Sequence, residues 1–292
     1  MIRRRAALHG LIASFILPGA AAWAGIAALP PDAAASAPDT APTNPSAVIE
    51  ALRLEEFLAH EVPRALPRSL ARDAEWVALA TAEVTSAAMI IDHPQLVVVV
   101  DRNPRIQQLA VILATPDGPW RVIGGTKVST GSTGRFDHYI TPRGVFHLTT
   151  AILGYRAEGT LNENGIRGLG AKGMRVWDFG WQVAAKGWNA GPGKPDRTPI
   201  RLMMHATDPD RLEQRIGRPA SQGCIRIPST MNKFLDRHGV LDAEYERAAV
   251  SDIKFRALLP HDRDPTPLAG NTLVVVDSAE HAAPTLQVAS HP

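Results

Sequence analysis

The only cysteine of the 292-residue chain, Cys224, lies within a cluster of small and polar residues, Ser221-Gln222-Gly223-Cys224-Ile225-Arg226. Small residues ahead of a cysteine allow a substrate carbonyl to approach its sulfur. A glycine such as Gly223 also allows the backbone to turn so that N–H groups point to one spot, as an oxyanion hole requires. A cysteine without a partner in its chain is either an inert buried side chain or a thiol kept free for chemistry. The cluster favours the second interpretation, with Cys224 as a nucleophile.

A cysteine nucleophile needs a base or a positive field nearby, because the thiolate attacks and the thiol does not. His205 is the best candidate for the base, since it follows the apolar run 200–204, where a strand would hold its side chain rigidly. Arg226 has the fork of donors that binds a carboxylate. The alternative, that His205 is only a hydrogen-bonded histidine at a sheet edge, is disfavoured by the cysteine motif.

The other candidate ligands and acids do not predict a metal or cofactor site. No Cys-x-x-Cys or His-x-x-x-His spacing exists that would combine Cys224 with histidines around zinc. His138 and His147 are expected to pack or to face water. Asp208 and Asp210 are expected to cap a turn or helix after His205 and not to act as a carboxylate pair.

Four motifs in order along the chain resemble the catalytic domain of the L,D-transpeptidases, the YkuD family. His205-Ala206-Thr207 and residues 221–226 resemble that family's His-Gly-Thr-like element and its Ser-His-Gly-Cys-Val-Arg element. Upstream, Ser129-Thr130-Gly131 and the Thr-Pro-Arg-Gly-Val-Phe of residues 141–146 resemble its Ser-Thr-Gly strand end and its Thr-Pro-x-Gly-x-Phe segment. The resemblance covers roughly residues 94–228 and extends at most to about 280.

The resemblance implies a peptidoglycan L,D-transpeptidase that needs no cofactor. Cys224 would attack the carbonyl of the third residue of a donor stem tetrapeptide, form a thioester and release the terminal D-amino acid. The amine of a neighbouring stem peptide would then resolve the thioester and form the cross-link. Carbapenem-type β-lactams are implied as compounds that acylate the same cysteine.

The resemblance also implies roles for the residues around the nucleophile. His205 would take the thiol proton and later the proton of the incoming amine, and the backbone carbonyl of Ala206 would orient its ring. The N–H groups of Gly223 and Cys224 would form the oxyanion hole.

Three further residues of the cluster are implied to shape the pocket and bind the substrate. Two of them, Ser221 and Arg226, match the family's pattern. The third, Gln222, occupies a position where the family usually has a second histidine. We interpret that change as one that modifies the site without removing its activity, because glutamine still donates and accepts hydrogen bonds.

Two other functions stay open. A hydrolase of the same fold, an L,D-carboxypeptidase or endopeptidase acting on stem peptides or on wall–protein links, would use the same thioester with water as the acceptor. A non-catalytic peptidoglycan-binding domain would keep the pocket without the chemistry. Gln222 is the one residue that favours the non-catalytic function.

The N-terminal residues 1–24 have the three parts of a secretory signal peptide: arginines at positions 3–5, an apolar run, and the small-x-small site Ala22-Trp23-Ala24. We therefore expect a periplasmic protein, with a retained membrane anchor as the alternative. Removal of these arginines would take the formal net charge from +2 to −1. The basic character of the full chain thus gives no support for nucleic-acid binding.

Composition and periodicity predict the remaining organisation of the chain. Residues 25–47 form an Ala/Pro-rich linker, 48–93 a helical segment, 94–280 the catalytic domain and 281–292 a tail. Within the helical segment, Ser69 is a candidate N-cap and the apolar periodicity runs from Val77 to Ile91. The Gly-rich stretch 165–193 is either a hairpin packed on a sheet or a lid. The predicted fold is mainly β, a sandwich or barrel with a few short helices. The predicted strands cover 96–100, 109–113, 120–123, 145–148, 200–204 and 273–276, and a short helix covers 229–238.

Overall fold

The computed structural model of the protein describes residues 44–281. The predicted signal peptide, the linker as far as residue 43 and the tail from residue 282 onward lie outside this range. The first helix begins at Pro45, inside the range predicted to be linker. Within the described range, no helix combines the length and the apolar character needed to cross a membrane.

Residues 44–281 form a mixed α/β fold. The helices are α1 (Pro45–Glu61), α2 (Leu70–Ser86), α3 (Ser229–Arg237), α4 (Ala243–Ala249), α5 (Ile253–Leu258) and α6 (Ser278–His281). The strands are β1 (Gln95–Asp101), β2 (Gln108–Ala114), β3 (Arg121–Lys127), β4 (Gly144–His147), β5 (Tyr155–Arg156), β6 (Arg175–Ala185), β7 (Arg197–Ala206), β8 (Ile225–Ile227) and β9 (Thr272–Val276). Helices and strands contain similar numbers of residues, so the expectation of a mainly β protein is not confirmed. Each predicted strand and the helix 229–238 are present, with bounds that agree within two residues except that β3 ends four residues later and β7 begins three residues earlier than predicted.

The ends of α2 follow from local hydrogen bonding. The Ser69 hydroxyl accepts a hydrogen bond from the Arg72 N–H, which confirms the predicted N-cap. The helix ends at Ser86, well before the predicted Ile91. Ala88 adopts a positive φ of 51° and the N–H of Met89 bonds to the carbonyl of Val84, an arrangement that closes the last turn of a helix.

The larger sheet has the strand order β3-β2-β1-β9-β4 and is antiparallel except for the parallel pair β1 and β9. Every residue of β1 is buried, as its continuous apolar run predicts for a strand covered on both faces. Val97 and Val99 pack with Trp76 of α2 on one face. Leu96 and Val98 face a second core on the other.

The smaller sheet has the order β5-β6-β7-β8, with β6 and β7 forming a long hairpin and β8 parallel to β7. The aromatic-rich stretch 165–193 supplies β6 of this hairpin, in which Trp177 is fully buried and Trp181 is 67% exposed. Leu202 and Met204 of β7, with Ile225 of β8, join the core beneath the larger sheet. Because side chains alternate along a strand, the odd-numbered residues at the end of β7 point away from this core.

The docking of α2 on the larger sheet can be tested at Trp76, which is 3% exposed. Trp76→Ala should lower the free energy of unfolding by about 3–5 kcal/mol, because it removes a large buried ring and leaves a cavity. Leu70→Ala is the control, since Leu70 lies on the same helix and is 90% exposed. Its effect should stay within about 0.5 kcal/mol. Urea unfolding measures both, and equal effects would contradict this packing.

Candidate active site

Cys224 and His205 lie on neighbouring parallel strands of the smaller sheet. Cys224 directly precedes β8, in which Ile225 pairs with Met204 and Arg226 pairs with His205. Paired residues of neighbouring strands share a face of the sheet, and so do residues two apart on one strand. Cys224, Arg226 and His205 therefore share the face opposite the core. Cys224 and His205 are diagonal neighbours on this face, a separation that a long or aromatic side chain can span.

The thiol of Cys224 is held by the backbone of β7. Its Sγ lies 3.6 Å from the carbonyl oxygen of Arg201, and the N–H of Met203 bonds to the sulfur. Burial raises the pKa of the Cys224 thiol above its usual range, and the Met203 N–H and the charge of Arg226 offset this only in part. Cys224 is therefore a protonated thiol at neutral pH and would need a base to act as a nucleophile.

His205 has the properties of such a base. It is 4% exposed, and its Nδ1 lies 2.6 Å from the carbonyl oxygen of Ala206, to which it can only donate. Nε2 is then the nitrogen that can accept a proton. Burial lowers the pKa of His205 to about 4, the Ala206 carbonyl raises it, and the charge of Arg226 lowers it further. The ring is neutral at pH 7, and the hydrogen bond required for an orienting role of Ala206 is present.

The turn that presents Cys224 is closed by Ser221. The Ser221 hydroxyl donates to the Cys224 carbonyl at 2.5 Å and accepts from the Gly223 N–H at 3.1 Å. Gly223 has a φ of 122°, and a Cβ there would lie 2.6 Å from Cδ1 of Ile200, so the turn requires glycine. Ser221 is 1% exposed and its hydroxyl has a role in the turn. Its contact with substrate stays a prediction. An oxyanion would have to compete with Ser221 for the Gly223 amide.

The other two motifs, residues 129–131 and 141–146, form hydrogen bonds that hold this turn in place. The backbones of Ser129 and Arg226 exchange hydrogen bonds of 2.9 and 2.8 Å. The Thr141 hydroxyl donates to the Gly223 carbonyl and accepts from the Gly131 N–H, each at 2.8 Å. A Cβ on Gly131 would lie 1.8 Å from the Tyr139 carbonyl oxygen, so this close approach needs glycine. All four motifs therefore meet at the nucleophile.

The two remaining predicted residues differ in their surroundings. Arg226 is half-buried, and its Nη1 donates to the Ala220 carbonyl at 3.2 Å. Burial lowers the pKa of this guanidinium from its ordinary value, which remains far above neutral pH. Gln222 is exposed. Arg226 is thus positioned to meet an anion near Cys224, while Gln222 faces solvent at the edge of the site.

Sequence reasoning missed a second polar group beside the thiol. Nε of Arg201 lies 2.8 Å from Oδ1 of Asp178, and its guanidinium carbon lies 5.8 Å from the ring centre of Trp181. The hydroxyl of Tyr155 lies 3.3 Å from Sδ of Met203. The two-residue period of β7 was a usable signal for Arg201 and Met203, which share the face of His205. No sequence signal pointed to Tyr155.

The remaining polar residues near His205 have structural roles. Asp208 accepts hydrogen bonds from the N–H groups of Asp210, Arg211 and Arg167, which confirms that it caps a turn after His205. These N–H groups, led by that of Arg167, lower the pKa of Asp208. Within residues 44–281, no three His, Cys, Asp or Glu side chains converge as a metal-binding group.

No protein-family model matches the sequence, and a comparison with curated proteins gives no match. Among solved structures, a fused Zn-dependent amidase/peptidase/peptidoglycan-binding domain-containing protein from Clostridium acetobutylicum is similar at 13% identity and a TM-score of 0.27. The similarity covers 72% of this chain and 63% of that protein's chain. These comparisons assign no family. A TM-score this low also supports no inference about fold or activity.

The burial of His205 predicts a pH dependence of stability. In the unfolded chain this histidine binds a proton below its ordinary pKa of 6.5, but in the folded chain it does so only near pH 4. The folded protein therefore becomes less stable as the pH falls from 6.5 to 4. Protonation of this group lowers the free energy of unfolding by about 3 kcal/mol in total. His205→Gln should remove this part of the slope. Urea unfolding of both proteins from pH 4 to 7 measures it, and parallel curves would contradict a buried neutral ring.

The role of Ser221 can be separated from substrate binding. Ser221→Ala should lower the free energy of unfolding by about 1–3 kcal/mol, because it leaves the Gly223 N–H and the Cys224 carbonyl without their buried partner. Gln222→Ala is the control, since its neighbouring side chain is exposed, and it should change stability by less than about 0.5 kcal/mol. Thermal or urea unfolding measures both. A Ser221→Ala protein of unchanged stability that binds substrate weakly would assign Ser221 to substrate binding and not to the turn.

Proposed function

We propose that this chain is a peptidoglycan L,D-transpeptidase that forms cross-links through a cysteinyl thioester. The observation that carries the proposal is the pairing of a protonated, backbone-held Cys224 thiol with a buried neutral His205 on the same face of neighbouring strands. The resemblance of four motifs to the YkuD family, and their convergence on one turn, support the choice of reaction. A wall-directed activity also agrees with the signal-peptide composition of residues 1–24, and we propose a periplasmic site of action.

The first half-reaction follows from the protonation states. His205 Nε2 takes the thiol proton as the Cys224 sulfur attacks the carbonyl carbon of the donor's third residue. The oxyanion is met by the Cys224 amide and, in exchange for its bond to Ser221, by the Gly223 amide. The tetrahedral intermediate then expels the amine of the terminal D-amino acid, which receives the proton from His205. The product is a thioester on Cys224.

The second half-reaction reverses these proton transfers. His205 takes a proton from the incoming amine as its nitrogen attacks the thioester, and returns that proton to the Cys224 sulfur when the carbon–sulfur bond breaks. The new amide bond is the cross-link. A neutral His205 is essential for both halves, since an imidazolium could accept neither proton.

The deciding experiment incubates the full chain with purified disaccharide-tetrapeptide and weighs the products by mass spectrometry. We expect a cross-linked dimer together with released D-amino acid. A trimmed tripeptide without dimer would instead assign the hydrolase, in which water resolves the thioester. No product from a folded protein would favour the non-catalytic wall-binding domain.

Both members of the catalytic pair should be indispensable for product formation. Cys224→Ala should retain less than about a thousandth of the wild-type rate, because it removes the nucleophile with little change of volume. His205→Gln should be nearly as damaging, since base and nucleophile act as a unit. Initial rates with disaccharide-tetrapeptide measure both effects.

Gln222→His is the matched control for the base, because it restores the residue that the resembling family usually has at this exposed position. It should be tolerated or mildly activating. Rescue of His205→Gln by a second Gln222→His change would show that the base has been assigned to the wrong residue. A carbapenem-type β-lactam gives a second readout, one stable adduct by intact-protein mass spectrometry that is absent from Cys224→Ala.

A further inference from the structure

A cavity of about 540 Å³ is bordered by Arg226, while Cys224 and His205 themselves do not line it. Its wall includes Thr207, two residues after His205, and Arg226, the register partner of His205. Arg215 and Arg218 come from the loop before the nucleophile, and Arg135 comes from the loop after Gly131. Of the residues in this wall, only Arg226 was predicted to bind the substrate.

The cavity is strongly basic. Its lining contains four arginines and His138, and no aspartate or glutamate. Elsewhere in the described chain, arginines near buried surfaces are neutralised, as Arg263 is by Asp242 and Glu246. No carboxylate within residues 44–281 forms such a pair with the arginines of this cavity. Four like charges around one space repel one another, and an anion bound between them would relieve that repulsion.

A second feature of the wall also points to a ligand. Thr207 is 1% exposed, and its hydroxyl oxygen is buried without any hydrogen-bond partner within residues 44–281. Buried hydroxyls are normally hydrogen-bonded, because an unpaired one has lost its contacts with water and gained nothing in return. A ligand oxygen in the cavity would give this hydroxyl a partner.

The position of the cavity suits contact with the part of the substrate that carries the departing or incoming amine. Arg226 borders the cavity, and its charge acts on both His205 and Cys224. In the proposed reaction, His205 gives a proton to the departing amine and takes one from the incoming amine. The two amines must therefore occupy one subsite beside His205. In the departing D-amino acid, a carboxylate is attached to the carbon next to that amine.

We infer that this cavity is a carboxylate subsite shared by the leaving group and the acyl acceptor. It would accept the carboxylate of an α-amino carboxylate, with Arg215, Arg218 and Arg226 as the charge partners and Thr207 as a hydrogen-bond donor. The enzyme would then select acceptors whose amine has a neighbouring free carboxylate. This inference rests on the proposed transpeptidase function for the identity of the ligand, but the binding site can be tested without catalysis.

The test titrates the full chain carrying Cys224→Ala with free D-alanine and with D-alaninamide, followed by chemical shifts in NMR spectra. D-alanine should bind at least about 10-fold more tightly than the amide, because only it has the carboxylate. Adding Arg215→Gln and Arg218→Gln should weaken D-alanine binding by about 10-fold or more. Arg247→Gln is the control, since Arg247 is an exposed arginine of α4 that does not line the cavity.

Thr207→Val separates ligand binding from stability. It removes the unpaired hydroxyl, so the unfolding midpoint of the ligand-free protein should be unchanged or higher, while the Kd for D-alanine should rise several-fold. An unchanged Kd would exclude Thr207 from the subsite.

Three results would overturn the subsite: no binding of D-alanine, equal binding of acid and amide, or a preference that survives in the double arginine variant. Failure of the tetrapeptide assay alongside selective D-alanine binding would overturn the proposed reaction and leave the subsite standing. A cross-linked product from a protein that shows no preference for the carboxylate would support the proposed reaction and overturn the subsite.

Discussion

The two-residue period of β7 is the constraint on which the rest of the site depends. Leu202 and Met204 point into the core shared by the two sheets, so Arg201, Met203 and His205 must point the other way. The same strand thus supplies apolar packing on one face and, on the other, the backbone groups that hold the thiol and the ring that we propose as its proton acceptor. A shift of register by one residue would turn Arg201, Met203 and His205 into the core and Leu202 and Met204 out of it.

The nucleophile is held by main-chain groups and buried hydroxyls, with few exposed side chains involved. The Ser221 and Thr141 hydroxyls bind the carbonyls of Cys224 and Gly223, and the Ala206 carbonyl fixes the ring of His205. The three residues that supply these groups are at most 1% exposed. Such preorganisation lowers the cost of aligning sulfur, imidazole and amide N–H groups when a substrate arrives.

Local patterns predicted the parts of this architecture that depend on local chemistry. The buried run of β1, the Ser69 cap and the glycine before the nucleophile each follow from the residue types at one place. The short helices α4 and α5 have too few residues to show a helical period, so the predicted share of helix was too low. The inward position of Ser221 and the convergence of the cavity arginines arise only from tertiary contacts, which no spacing along the chain records.

The parallel pairing of β1 with β9 has a consequence for how the chain folds. In the sheet order β3-β2-β1-β9-β4, the most C-terminal strand of residues 44–281 separates β1 from β4, and β4 pairs with no other strand of that range. The β1–β2 and β2–β3 pairs are local in sequence and do not need residues 272–276, whereas the larger sheet cannot be completed until those residues are available. Contacts of such long sequence separation slow folding. Until β9 is available, one edge of β1 and both edges of β4 therefore have no strand partner, and unpaired strand edges favour aggregation.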